Sequence, residues 1–179
     1  MEIRLATPTD APGIAAIYRP YVEGTVISFE LTPPADADMA GRISRVIAEL
    51  PWLVCEEAGA ILGYAYASRH HDRAAYQWSV DTSVYVHEAQ RRRGLGHALY
   101  TELFACLRDQ GYYTAYAGIT LPNIASVALH ERFGFEPVGI YRKAGFKLGR
   151  WWDVGWWQKP LRGCYVVPTE PPSVLIRCA

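Results

Sequence analysis

Apolar residues recur along the chain either at helical spacing or in strict alternation, and the two patterns take turns. Residues 8–22 and 35–50 carry apolar side chains three or four positions apart, which predicts amphipathic helices. In residues 78–86 every second side chain belongs to one face, with Asp81 among the polar residues of the other, which predicts a strand. Along the whole chain the predicted order is β-α-α-β-β-β-α-β-α-β-β, a mixed sheet interspersed with helices. The last two helices are expected to end at Gly111 and Gly134, the second of them capped by Asn123, and the final strands to cover 136–142 and 150–158.

Composition and charge narrow the class of protein. The chain has 179 residues, 50% of them hydrophobic and 20% charged, which predicts one globular domain over 1–162 and a proline-rich tail over 163–179. Lys plus Arg equals Asp plus Glu, at 18 each. The protein therefore has no net positive charge that would attract it to nucleic acid or to an anionic membrane surface.

Three features of the sequence concern the cellular compartment and metal binding. They are the four cysteines, the polar N-terminal stretch and the absence of long apolar runs. The cysteines have no C-x-x-C spacing, which predicts reduced thiols and neither a disulfide framework nor a zinc site. The first ten residues lack the basic and apolar regions of a signal peptide. We therefore expect a cytoplasmic protein without a metal.

Three arginines stand directly before a Gly-x-Gly and an amphipathic helix, in the stretch "QRRRGLGHALY". Helix N-terminal amides and arginine side chains together favour a bound phosphate. The loop lacks the Gly-Lys-Ser/Thr ending of a P-loop, and Leu99 stands where a dinucleotide fingerprint has its third glycine. A glycine-rich turn with a solvated basic cluster remains the alternative for the loop taken alone.

Two motifs resemble those of the GNAT N-acetyltransferase superfamily. They are the loop Arg91-x-x-Gly94-x-Gly96 and the helix "NIASVALHERFGF". The stretches "RAAYQWSVDTSVYV" and "KAGFKLGRWWDVGWWQ" are similar to the phosphinothricin and methionine sulfoximine acetyltransferases within it. The resemblance implies an α/β (α+β) GNAT fold: a mixed, mostly antiparallel twisted sheet, splayed at the acetyl-CoA site and flanked by helices on both faces.

The resemblance also implies where acetyl-CoA is held. The splayed strand would pair its backbone with the pantetheine arm, the arginine-glycine loop would hold the pyrophosphate, and two residues of the later helix would contact the arm or the nucleotide. The residues concerned are Val84, Tyr85, Val86, Arg91, Arg92, Arg93, Gly94, Leu95, Gly96, His97, Asn123 and Arg132.

Amine acetylation by a thioester needs a base for the ammonium, an oxyanion stabiliser and a proton for the leaving thiolate. Asp81 is the candidate base, acting directly or through water, and it stands where the family usually has glutamate. His130, two helical turns after Asn123, is the candidate general acid. The amide of Val86 is expected to polarise the carbonyl, and the resemblance favours direct transfer over an acyl-enzyme.

The expected acceptor is the α-amine of a small glutamate-like amino acid, such as phosphinothricin, methionine sulfoximine or methionine sulfone. The residues that match the family's acceptor pocket are Phe29, Arg73, Tyr76, Thr120 and Lys147. Lys147 is expected to add positive charge, either within the chain or across the interface of an expected homodimer. Two alternatives stay open. One is a GNAT enzyme that acts on a protein N-terminus or an antibiotic, and the other is a non-catalytic protein that only binds acyl-CoA.

Overall fold

The computed structural model describes residues 1–163, 167–168 and 172–173. Within them the elements follow the order predicted from the sequence. They are β1 (Glu2–Leu5), α1 (Ala11–Gly24), α2 (Asp36–Ile47), β2 (Trp52–Glu57), β3 (Ala60–Arg69), β4 (Ser79–Val86), α3 (Leu95–Gln110), β5 (Thr114–Leu121), α4 (Ile124–Arg132), β6 (Glu136–Lys147) and β7 (Arg150–Pro160).

The seven strands form one sheet in the order β1-β2-β3-β4-β5-β7-β6. Every neighbouring pair is antiparallel except β4 and β5, which are parallel. The sheet is therefore mixed and mostly antiparallel, as expected. The parallel pair lies at its centre, where the long connection through α3 joins the two strands.

Helices cover both faces of the sheet, and alternation along the strands assigns each side chain to one of two cores. Leu53 and Cys55 of β2 belong to the core under α3, whereas Trp52 and Val54 belong to the core under α1 and α2. The leucines of α3 spaced four apart are fully buried in the first core. Both faces of β2 and β3 are therefore buried along most of their length.

Local signals set the ends of the helices that border the later site. Asn123 caps α4, because its side-chain oxygen accepts the Ser126 N–H at 3.1 Å. Gly111 ends α3 in the left-handed conformation at φ +102, and Gly134 follows α4 at φ +79. All three roles are as predicted from the sequence.

The parallel ladder between β4 and β5 is short. It pairs only three residues of each strand, from Ser79–Thr114 to Asp81–Tyr116. At its end the hydroxyl of Thr82 donates to the Tyr116 carbonyl at 3.3 Å. Beyond this point the strands separate, which is the splay that the family resemblance implied.

Some expectations need correction. β6 continues to Lys147, although the sequence predicted a strand over 136–142 only. Cys55 is a free buried thiol, but Cys106 is disulfide-bonded, so the expectation of four reduced cysteines is wrong. Cys164, Cys178 and most of the predicted tail lie outside the described residues. No helix in the described part of the chain is long and apolar enough to cross a membrane.

Candidate active site

A cleft opens where β4 and β5 separate, and it extends to α3, α4 and the loop after α1. It brings together three residues of the predicted cofactor site with His130 and Thr120, which were predicted as general acid and acceptor-pocket wall; Val86 comes next along the same strand. The lining residues are Ile27, Thr82, Ser83, Val84, Tyr85, Tyr100, Ala117, Gly118, Ile119, Thr120, Asn123, Ser126 and His130.

The free backbone edge of β4 faces this cleft. The His87 N–H donates to the Leu62 carbonyl at 2.9 Å, so odd-numbered residues of β4 direct their backbone groups to β3. The amides of Val84 and Val86 therefore point to the other side, where β5 has turned away. The Val86 carbonyl accepts the Tyr21 hydroxyl at 2.6 Å, which leaves the Val86 amide as the group able to meet a carbonyl oxygen.

The N-terminus of α3 has the features of an anion site. Gly94 is its N-cap at φ +80, no side chain caps the helix, and its first turn holds no acidic residue. The first backbone amides thus lack intrahelical and side-chain acceptors. A Cβ on Gly96 would lie 3.5 Å from Leu129 and 4.0 Å from Val84 and Val86, so this glycine keeps the backbone open beside the cleft.

The three arginines before α3 differ in their surroundings. Arg91 lies over the Tyr21 ring, with 5.6 Å between its guanidinium carbon and the ring centre. Arg93 pairs with Gln90 and, at 3.4 Å, with Glu57, whereas Arg92 is exposed at φ +65. Uncapped amides beside this positive charge fit a pyrophosphate. Leu95 is buried, and His97 packs on Phe133, so both support the loop from behind.

His130 lies at the bottom of the cleft and is only 4% exposed. Its Nδ1 is 2.7 Å from the Ser126 carbonyl, which can only accept, so Nδ1 carries a proton and Nε2 accepts the Tyr100 hydroxyl at 3.0 Å. Burial lowers the pKa of His130 and raises that of Tyr100. The Tyr100 hydroxyl, a group of the cleft lining that the sequence did not single out, is thus the hydrogen-bond partner of the His130 imidazole.

Asp81 lies at the end of the parallel ladder, on the opposite face of β4 from α3. Its Oδ1 is 2.7 Å from Nδ1 of His70, which follows the last residue of β3. Burial raises the pKa of the Asp81 carboxyl, and the His70 contact works in the opposite direction. Sequence reasoning missed His70. The signal that could have found it is the β3–β4 hairpin, whose register places Ser68 opposite Asp81.

The predicted acceptor residues are divided between different surfaces. Arg73 and Tyr76 both line a depression outside the cleft, and the Tyr76 ring also contacts His70 and His71. Phe29 packs its ring on Gly145, and its neighbour Ile27 reaches the cleft instead. Arg132 is exposed in the last turn of α4, outside the cleft lining. The roles predicted for Arg73, Tyr76, Phe29, Thr120 and Arg132 stay predictions.

Lys147 is 5% exposed, and its ammonium donates to two backbone carbonyls. These belong to Val22, at 2.6 Å, and Ser28, at 2.7 Å. Burial lowers the pKa of Lys147. The side chain thus joins the end of β6 to the loop that carries Ile27 into the cleft, and it acts on the site by holding this loop.

Replacing Lys147 by methionine is expected to reduce the free energy of unfolding by about 1–3 kcal/mol, because two buried carbonyls lose their donor. The Michaelis constant for the acceptor amine should rise with it, since the loop carrying Ile27 is loosened. Chemical denaturation and initial rates measure the two effects, with Lys143→Met at an exposed position as control. Unchanged stability with a large rise in that constant would instead indicate direct contact with substrate.

The whole chain is similar to known acetyltransferases. It matches the acetyltransferase (GNAT) domain over residues 3–156. It is 40% identical to phosphinothricin N-acetyltransferase of Streptomyces viridochromogenes, covering 97% of this chain and 93% of the relative. It is 38% identical to L-methionine sulfoximine/L-methionine sulfone acetyltransferase of Pseudomonas paraeruginosa, covering 88% and 92%.

A solved structure agrees with these relatives. The phosphinothricin acetyltransferase of Sinorhizobium meliloti, a GNAT protein determined in complex with acetyl-CoA, superposes with a TM-score of 0.90 at 38% identity and covers 96% of this chain and 94% of its own. The protein belongs to the GNAT acetyltransferase family. Within that family it is similar to enzymes that bear the names of phosphinothricin and methionine sulfoximine, so the resemblance read from its motifs is confirmed.

Proposed function

We propose that the protein transfers an acetyl group from acetyl-CoA to the α-amine of a small glutamate-like amino acid. The observation that carries this proposal is the cleft between β4 and β5, which joins an uncapped helix N-terminus to a free strand edge and two buried titratable groups. The relatives named for phosphinothricin and methionine sulfoximine support the choice of acceptor.

The cofactor residues fit acetyl-CoA by their hydrogen-bonding groups. The amides at the start of α3 and the arginines from Arg91 to Arg93 would hold the pyrophosphate. The Val84 and Val86 backbone would pair with the amides of the pantetheine arm, as a further strand does. Asn123 caps α4 at the far wall of the cleft, where its amide nitrogen remains able to donate.

The chemistry needs proton transfers on both sides of the reacting carbon. Asp81, whose pKa is raised by burial, receives the proton of the incoming ammonium, directly or through a partner. The Val86 amide donates to the developing oxyanion. The thiolate leaves toward the other wall, where the Tyr100 hydroxyl, bonded to His130, is the available donor.

The α-carboxylate and side-chain end of the acceptor require donors and a fitted wall. We assign these roles to Arg73 and Tyr76, whose loop precedes β4, and to Thr120, which is buried in the cleft. Phe29 contributes through its contact with Gly145. Acetylation of phosphinothricin by this site would also confer resistance to that herbicide.

We further infer a cytoplasmic homodimer. The β6–β7 hairpin exposes several large apolar side chains, more than an isolated surface usually carries. Those more than 45% exposed are Val138, Ile140, Tyr141, Phe146, Leu148 and Trp151. A second copy packed on this hairpin would bury them beside the Lys147 anchor.

Thiol release from acetyl-CoA tests the proposed function. The purified protein is assayed with L-methionine sulfone, L-methionine sulfoximine, phosphinothricin, glutamate and a short peptide at equal concentrations. Turnover confined to the free amino acids, highest with the three analogues, is the expected result. Turnover with the peptide alone would assign the enzyme to another amine, and acetyl-CoA binding without any turnover would leave only a binding protein.

A further inference from the structure

The Asp81 carboxylate is hydrogen-bonded to a histidine through one of its oxygens. Oδ1 of Asp81 lies 2.7 Å from Nδ1 of His70. A carboxylate can only accept, so the proton of this hydrogen bond belongs to Nδ1. When the imidazole is neutral, its basic lone pair is then on Nε2, at the opposite edge of the ring.

Aromatic side chains fix the orientation of the His70 ring. It stacks on Tyr116 of β5, with ring centres 4.2 Å apart and planes 13° apart. Tyr76 and Trp156 meet it edge-on at 6.0 and 6.2 Å. No residue in the described part of the chain hydrogen-bonds to Nε2, and the side chain keeps 15% exposure. The ring is thus held rigidly with its base accessible.

The pair stands at the edge of the cleft. Asp81 is the last residue of β4 that pairs with β5, and Ser83, two residues on along the same face, already lines the cleft. The resemblance leads one to expect the longer glutamate at position 81. The hydrogen-bonded imidazole adds length to the side chain of the shorter aspartate.

We propose that His70 and Asp81 form a proton-accepting dyad in which Nε2 of His70 takes the proton of the acceptor amine. Asp81 holds the tautomer and stabilises the imidazolium that forms, as carboxylates do for catalytic histidines elsewhere. This inference rests on the proposed function, of which it supplies the base.

The transfer balances as follows. Nε2 removes one proton from the ammonium, and the neutral nitrogen forms a bond to the thioester carbonyl carbon. Collapse of the tetrahedral intermediate breaks the carbon–sulfur bond, and the thiolate takes a proton from the Tyr100–His130 side to leave as CoA thiol. The second proton on nitrogen and the proton on His70 are lost to solvent, and Tyr100 regains one proton from solvent. The products are therefore the amide, CoA thiol and one released proton, with the dyad and Tyr100 unchanged.

The titratable groups around His70 come from several elements. Asp81 of β4 has its Oδ1 2.7 Å from Nδ1 of His70, and the ring centre of His71 lies 4.3 Å away. The rings of Tyr76 and Tyr116 also face the imidazole. The acidic limb of kcat/KM therefore belongs to the dyad as a unit.

The test is His70→Gln in the full chain, assayed with acetyl-CoA and L-methionine sulfone across pH. The expected result is a fall in kcat of roughly 100-fold or more, with the acidic limb removed and the KM for acetyl-CoA unchanged. Imidazole added to His70→Ala should restore part of the activity. The double variant with Asp81→Asn should lose little more than either single variant, because the two act as a unit.

His87→Gln is the matched control, since His87 is an exposed histidine outside the dyad and the cleft. Thermal melts establish that each variant folds. A His70→Gln enzyme within about threefold of wild type with its acidic limb intact, well below the general-base effect, would overturn the dyad. So would strictly additive losses. Wild-type protein that acetylates none of the amino acids would contradict the proposed function itself, which separates the two failures.

Discussion

Replacing Asp81 by asparagine is expected to lower kcat by about 10²- to 10⁴-fold, the range for loss of a general base or of the group that orients it. The amide has nearly the same shape and can still accept the His70 N–H, so the fold and acetyl-CoA binding should be retained. Isothermal titration with acetyl-CoA and steady-state rates measure the two properties separately.

The pH dependence of kcat/KM gives a second test of Asp81. Burial raises the pKa of Asp81, so the acidic limb of wild-type kcat/KM should lie above the ordinary carboxyl pKa of about 4. Activity is present above the limb and is lost as the pH falls through it. Asp109→Asn, an exposed aspartate on α3, is the control. Equal kcat in the two variants would show that Asp81 takes no part in the proton transfer.

Introducing an acidic residue at the start of α3 is the second large effect we expect. Gly96→Asp places a carboxylate in the first turn, where an acidic side chain stabilises a helix. The added Cβ meets Leu129 at 3.5 Å, an ordinary contact. The melting temperature should therefore stay or rise, while the dissociation constant of acetyl-CoA rises about 10²- to 10³-fold through repulsion of its phosphates at short range.

Thr101→Asp is the matched control for that experiment. It adds the same charge to an exposed position of the same helix, more than one turn further on. A small effect there and a large one at Gly96 would assign the repulsion to the helix N-terminus. Equal affinity for acetyl-CoA in wild type and Gly96→Asp would mean that the phosphates bind elsewhere.

Much of the fold could be predicted from the sequence because its signals are local. The spacing of leucines in α3, the alternation of β4 and the cap at Asn123 each depend on residues within a few positions. The length of β6 could not be predicted in the same way. Its pairing with β7 shifts register between Tyr141 and Gly145, with Lys143 at φ +52, and such an irregularity follows from tertiary pairing.

The candidate site was predictable only where it coincides with a motif. Asp81 and His130 fall on motifs, but their partners do not. His70 stands 11 positions from Asp81, and Tyr100 stands 30 positions from His130, so both contacts depend on how the sheet and helices assemble. Lys147 shows the opposite case, because a charge expected to face substrate is buried on the carbonyls of Val22 and Ser28.

Analysis of the reaction products shows whether the acetyl group is transferred to the amine or lost to water. The protein is incubated with acetyl-CoA carrying a ¹³C-labelled acetyl group and one equivalent of L-methionine sulfone, and the mixture is followed by NMR. A labelled amide on the α-nitrogen is expected, with one CoA thiol released for each amide formed. Release of CoA thiol together with labelled acetate, without any N-acetyl product, would contradict acetyl transfer to the amine.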